Sequence, residues 1–118
     1  MKTVLIIDDD DSIRDSIKDV LEDEGYRVLQ AENGMQGTMM CKKNKVDIAI
    51  IDIWLPNIDG MKVLEEINRI NKKIKSIMIS AHGTVTTAVD SWKKGAVDFL
   101  EKPLSLDKLL QAVKKASG

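Results

Sequence analysis

Five short apolar runs, each followed by a stretch of helical period, constrain this chain more than any other feature. The runs at residues 3–7, 27–31, 47–51, 76–80 and 97–100 contain many β-branched residues and are bounded by turn formers, the mark of strands. Asp47-Ile-Ala-Ile-Ile-Asp52 is apolar between its two aspartates, as a central strand covered on both faces must be. Between the runs, Ile13, Ile17, Val20 and Leu21 share one helical face. Leu64, Ile67 and Ile70 mark a third helix, and Leu106, Leu109, Leu110 and Val113 a fifth. A second and a fourth helix are expected over about residues 35–43 and 84–94, where Gly37 and the β-branched residues at 84–87 weaken the local propensity. Gly25 and Gly95 stop the first and fourth helices, and Lys93-Lys94 and Lys114-Lys115 suit the negative ends of helix dipoles. Strands alternating with helices over short links predict a parallel sheet, and right-handed crossovers place helices on both its faces. The expectation is a doubly wound α/β domain; a barrel would need roughly 250 residues against the 118 present.

No internal repeat or linker divides the chain, so residues 1–118 are read as one domain. The sequence stops just after the last helix, at Ser117-Gly118, which leaves both a stand-alone protein and a fragment of a longer one open. Lys plus Arg (18) nearly balance Asp plus Glu (19), for a net charge of −1. No overall field draws the chain to nucleic acid or to a membrane surface. Its apolar runs are too short for a signal peptide or a membrane span, so a cytoplasmic protein is expected. Cys41 is the only cysteine and is expected to pack within the second helix.

In an open α/β sheet, ligands bind beyond the carboxyl ends of the strands. Those ends carry Asp8-Asp9-Asp10-Asp11, Asp52, Ser80-Ala81 and Glu101-Lys102-Pro103. Asp10 and Asp11 suit the start of the first helix, and Ser12-x-x-Asp15 has capping-box spacing. Asp8, Asp9 and Asp52 resist that explanation, because Asp8 continues an apolar strand and Asp52 closes another. If the strands are neighbours, two carboxylates about 5 Å apart repel by roughly 3 kcal/mol at an effective dielectric near 20. A hard divalent cation offsets this, and few carboxylates combined with waters and a phosphate oxygen favour Mg²⁺ over a caged Ca²⁺. Lys102 supplies a further countercharge able to pair with Asp52, and Ser80 offers a hydroxyl donor to the same place.

With these motifs in order along its whole length, the chain resembles the receiver domains of two-component response regulators. An acidic pair after the first strand is matched by Asp8-Asp9, and a phosphorylated Asp after the third by Asp52 within Ile51-Asp-Ile-Trp-Leu-Pro-Asn-Ile-Asp-Gly60. A Ser or Thr after the fourth strand is matched by Ser80, and a Lys-Pro after the fifth by Lys102-Pro103. The resemblance implies a flavodoxin-like five-stranded parallel sheet of order 2-1-3-4-5 with five helices. It also implies Mg²⁺-dependent transfer of a phosphoryl group from a sensor histidine kinase to Asp52, later reversed by hydrolysis. Asp8, Asp9, Asp52 and the backbone carbonyl of Trp54 would hold the metal, and Ser80 and Lys102 would neutralise and orient the phosphoryl oxygens. Such a protein is no enzyme acting on other substrates; it catalyses only its own phosphorylation and dephosphorylation.

By the same resemblance Phe99 is the aromatic switch that turns inward with Ser80, while Trp54, His82 and Pro103 flank the pocket. Asn57, Asp59 and Gly60 are read as the turn and cap of the third helix, with Gly60 relieving the strain of that turn. The runs 81–88 and 95–103 are similar to receivers of NtrC-type σ54-dependent transcriptional activators, whose output domain would lie beyond residue 118 and regulate transcription. Kinase specificity would lie on exposed faces of the first helix and its neighbours. Val85, Ala88, Val89 and Trp92 line the fourth helix, which suggests homodimerisation through the fourth helix, fifth strand and fifth helix on phosphorylation. Two rivals are weaker. A haloacid-dehalogenase-type phosphatase needs a second Asp where Trp54 stands, and a scaffold that has lost phosphorylation would lack Asp52, Asp9 or Lys102.

Overall fold

The computed structural model describes all residues except 57, 82 and 83 and the side chain of Val85. Strands β1 (Thr3–Ile7), β2 (Arg27–Ala31), β3 (Ile48–Asp52), β4 (Lys75–Ser80) and β5 (Asp98–Glu101) alternate with helices α1 (Asp11–Asp23), α2 (Gly34–Lys43), α3 (Gly60–Ile70), α4 (Val85–Lys93) and α5 (Leu106–Ser117). The sheet has the order β2-β1-β3-β4-β5, and every neighbouring pair is parallel. This is the expected doubly wound architecture. β3 and β5 each start one residue later than the apolar runs suggest. Asp47 stays outside β3 because its carboxylate accepts the Thr3 N–H at 2.8 Å, at the foot of the neighbouring strand.

Burial explains why the central strands are continuous apolar runs. Every residue of β1 and β3 is buried, with a layer on each side of the sheet. Leu5, Ile7, Ala49, Ile51 and Met78 pack with Cys41 of α2 and Val63, Leu64 and Ile67 of α3. Val4, Ile6, Ile48, Ile50, Ile77 and Ile79 pack with Ile17 and Leu21 of α1 and Leu109 and Val113 of α5. Each fully buried Leu or Ile contributes about 1.5–3 kcal/mol. Cys41 lies in the first layer as expected, and burial pushes its thiol up to about 11.

Each helix starts on a residue whose side chain accepts a first-turn N–H: Asp10, Asn33, Asp59, Thr84 and Ser105. The Ser12-x-x-Asp15 capping box is therefore not used. The Asp10 carboxylate already accepts the Ser12 and Ile13 N–H groups, so Ser12 lies inside the helix. Gly25 and Gly95 take φ of +90 and +101. Behind each, the next residue's N–H returns to the last turn, Tyr26 to Leu21 O and Ala96 to Ser91 O.

Helix α4 leaves part of its apolar line uncovered. Among its described side chains the fully buried one is Ser91, whose hydroxyl donates to Thr87 O at 3.0 Å, while Ala88 and Val89 are half-buried and Trp92 is 57% exposed. No helix among the described residues is long and apolar enough to cross a membrane.

Candidate functional site

The sheet register brings the polar strand ends together. Ile7 lies opposite Ile51, Asp52 opposite Ile79, and Ser80 opposite Glu101, so Asp8, Asp52, Ser80 and Lys102 emerge along one edge. Asp8 and Asp52 are buried at 0% and 3% exposure, whereas Asp9 faces solvent. Carboxylate oxygens of Asp8, Asp9 and Asp52 lie within 4.8 Å of one another.

The Lys102 ammonium closes this cluster, 3.0 Å from Asp8 Oδ2 and 3.0 Å from Asp52 Oδ2. It pairs with Asp52 as expected and equally with Asp8, which answers the repulsion between the two buried carboxylates. Burial works against the charge of Lys102, but its ion pairs with Asp52 and Asp8 outweigh this and raise its pKa. For Asp52, burial raises the pKa, and the nearby Asp8 charge adds to it against the opposing bond from Lys102. Asp8 Oδ1 accepts the Asp10 N–H at 2.9 Å. Asp8 Oδ2 meets Lys102 as an ion pair without a hydrogen bond's alignment, so this buried oxygen keeps acceptor capacity.

These donors fit a hard divalent cation: all are carboxylate oxygens, one is buried and under-used, and three carboxylates against one ammonium leave −2 when ionised. Trp54 frames the site from the side, its backbone N–H donating to Asp52 Oδ1 at 3.1 Å and its indole N–H to Ser80 Oγ at 3.1 Å. Ser80 is thus in the cluster, joined to it through Trp54. Phe99 stands beside Met78 on β5, half-buried against the α2–α3 layer. Pro103 follows Lys102 through a cis peptide bond. His82 and Asn57 lie outside the described residues.

Two local features differ from the sequence reading. Gly60 does not relieve a strained turn. A Cβ there would stand 2.2 Å from Asp52 O and 2.6 Å from Ile53 Cα, so glycine is required by the close approach of α3 to the end of β3. Asp59 caps α3 as expected, accepting the Met61 N–H at 2.9 Å. The second feature is Arg14, which the motif search passed over. Its buried guanidinium donates to the Asp8 carbonyl and to Asp11, and its Nε to Gln30 Oε1 at 3.1 Å, bracing the acidic loop against β2. The signal was available, because Arg14, Ile17 and Leu21 share the inward stripe of α1.

Comparison with known proteins agrees with this arrangement. An NtrX-like response regulator of Rickettsia typhi is 44% identical over 115 residues, which are 96% of this chain and 24% of that protein. The chain therefore spans about a quarter of the length of such relatives. The chemotaxis protein CheY of Bacillus subtilis is 38% identical over 113 residues, 95% of this chain and 94% of its own. Among solved structures, the beryllofluoride-activated NtrC4 receiver domain dimer superposes with a TM-score of 0.94 at 37% identity, covering 98% of this chain and 96% of the other. With the response regulator receiver family model matching residues 4–114, this chain belongs to the receiver domains of two-component response regulators.

Proposed function

We propose that residues 1–118 form one receiver domain in which Asp52 accepts a phosphoryl group from a phosphohistidine of a sensor kinase. The observation that carries this is the convergence of three carboxylates at the strand ends, two of them paired with the Lys102 ammonium. In the transfer, an oxygen–phosphorus bond forms on Asp52 as the phosphorus–nitrogen bond breaks, the electron pair staying on the imidazole. Water later removes the group as phosphate and restores the carboxylate. Lys102 and Ser80 bind and orient the phosphoryl oxygens, stabilising charge where little covalent chemistry is asked of the protein. Asp8, Asp9, Asp52 and the Trp54 carbonyl would hold Mg²⁺, which would supply positive charge to offset that of the carboxylates and the phosphoryl oxygens.

The output side of the proposal follows from the layout. Ser80 and Phe99 lie on adjacent strands, so a hydroxyl drawn to the phosphoryl group shifts the packing of Phe99 and with it the face of α4, β5 and α5. The exposed Trp92 on that face supports homodimerisation there, as does the dimeric state described for the activated NtrC4 receiver. The greater length of the NtrX-like relatives and the likeness to the transcriptional regulatory protein ZraR of Klebsiella oxytoca, 36% identical, support an output domain beyond residue 118 that controls transcription. A groove of about 320 Å³ between α1 and the segment after β5, lined by Ser12, Ile13, Ile17, Pro103 and Leu104, supports kinase docking on that side. Incubation with acetyl phosphate and Mg²⁺ tests the reading: the protein gains one phosphoryl mass, and Asp52→Asn does not. Labelling of Asp52→Asn at another carboxylate at the parent's rate would refute it. Sedimentation with and without beryllofluoride tests the dimer, and an unchanged profile counts against it.

A further inference from the structure

Trp54 joins two parts of the site at once. Its backbone N–H is tied to Asp52 Oδ1, and its indole N–H reaches Ser80 Oγ, 26 residues away. The residue is 61% exposed, yet its one polar side-chain atom turns inward onto a fully buried serine. Water can take the place of serine at an exposed indole N–H, so the net worth of this bond is modest, that of one hydrogen bond exchanged with solvent. Its consequence falls on Ser80, whose hydroxyl occupies one of three staggered wells. A turn to the next well moves Oγ by about 2.3 Å, out of reach of an indole whose own backbone is held by Asp52.

We propose that the Trp54 indole is a latch on Ser80, holding its hydroxyl in the orientation of the free protein and losing that bond when Ser80 turns to a phosphoryl oxygen. The inference rests on the reading of Asp52 as phosphoacceptor. Trp54 is a positioning residue: it acts on the reacting group through Ser80. A bond made in one of two states biases the equilibrium toward that state by its net strength. For a single hydrogen bond, that is about two- to tenfold in the population of the activated state.

The test is a titration with beryllofluoride and Mg²⁺, followed by amide NMR of β4. Trp54→Phe keeps the ring and removes the donor, and is expected to bind beryllofluoride about two- to tenfold more tightly than the parent. In a Ser80→Ala background, the same substitution is expected to change nothing. Equal or weaker binding by Trp54→Phe, or the same gain in both backgrounds, overturns the latch. If the parent binds no beryllofluoride at all, the phosphoacceptor reading fails and the latch with it. A second measurement needs no substitution at residue 54: the Trp54 indole N–H, assigned with Trp92→Phe, should exchange slowly in the free protein and faster when beryllofluoride is bound. An exchange rate that beryllofluoride leaves unaltered overturns the latch.

Discussion

Replacing Gly60 by alanine tests how the fold holds the site. The added Cβ would stand 2.2 Å from Asp52 O, 2.6 Å from Ile53 Cα and 2.9 Å from Asp52 C, all backbone atoms at the end of β3. None is the tip of a flexible side chain, so either the start of α3 or the end of β3 must shift by about 1 Å to restore ordinary contact. Overpacking of this kind costs about 1–3 kcal/mol. The Gly60 N–H to Ile53 O bond, 2.9 Å long, is stretched in the same movement, at a further cost of about 0.5–1.5 kcal/mol. Better helix propensity returns at most about 1 kcal/mol. The net expectation is a loss of stability centred on about 2 kcal/mol, read from urea unfolding followed by circular dichroism. Because the displaced atoms belong to Asp52, beryllofluoride binding should weaken as well. Gly25→Ala is the control: its φ of +90 makes alanine strained, but nothing lies within 4 Å of the new Cβ. That change should cost about 1–2 kcal/mol and leave beryllofluoride binding alone. A Gly60→Ala protein within about 0.5 kcal/mol of the parent, with intact binding, would show that the close approach is not a constraint.

Three further outcomes are expected. Asp10→Ala removes the carboxylate that accepts the Ser12 and Ile13 N–H groups; it should cost about 0.5–2 kcal/mol by urea unfolding while phosphorylation by acetyl phosphate proceeds. Mg²⁺ binding, followed by amide NMR shifts, should be lost in an Asp9→Ala, Asp52→Ala double variant, and tight binding that survives would place the ion elsewhere. The Cys41 thiol, raised by burial from 9.0 to about 11, keeps its proton in the folded state over a pH range where the unfolded chain releases it. Unfolding is then favoured as pH rises from 9 to about 11, which removes up to about 2–3 kcal/mol. Cys41→Ala should lack that part of the alkaline loss of stability, and parallel pH profiles for the two proteins would contradict it.

Much of this protein could be read along the chain, because the information is periodic or local. The run Ile48-Ala-Ile-Ile is apolar on both faces and reads as a central strand, Val4-Leu-Ile-Ile reads as a strand, and Gly25 and Gly95 could be assigned as helix stops from their neighbours alone. The acidic residues at strand ends were equally visible, since ligands of open α/β sheets gather there. Pairing across the sheet was not. That Asp8 is fully buried while Asp9 is exposed, and that Lys102 bridges Asp8 and Asp52 at equal distance, depends on where parallel strands come into register. The bond from Trp54 to Ser80 and the bracing of Asp8 by Arg14 likewise join residues whose side-chain directions no spacing rule supplies. Gly60 makes the same point: its neighbours in sequence suggest a turn, whereas its requirement comes from the backbone of another element passing within a Cβ's reach. Local order follows from propensities that each segment carries alone. The geometry of the site follows from packing, where each distance depends on every layer between the groups that it separates.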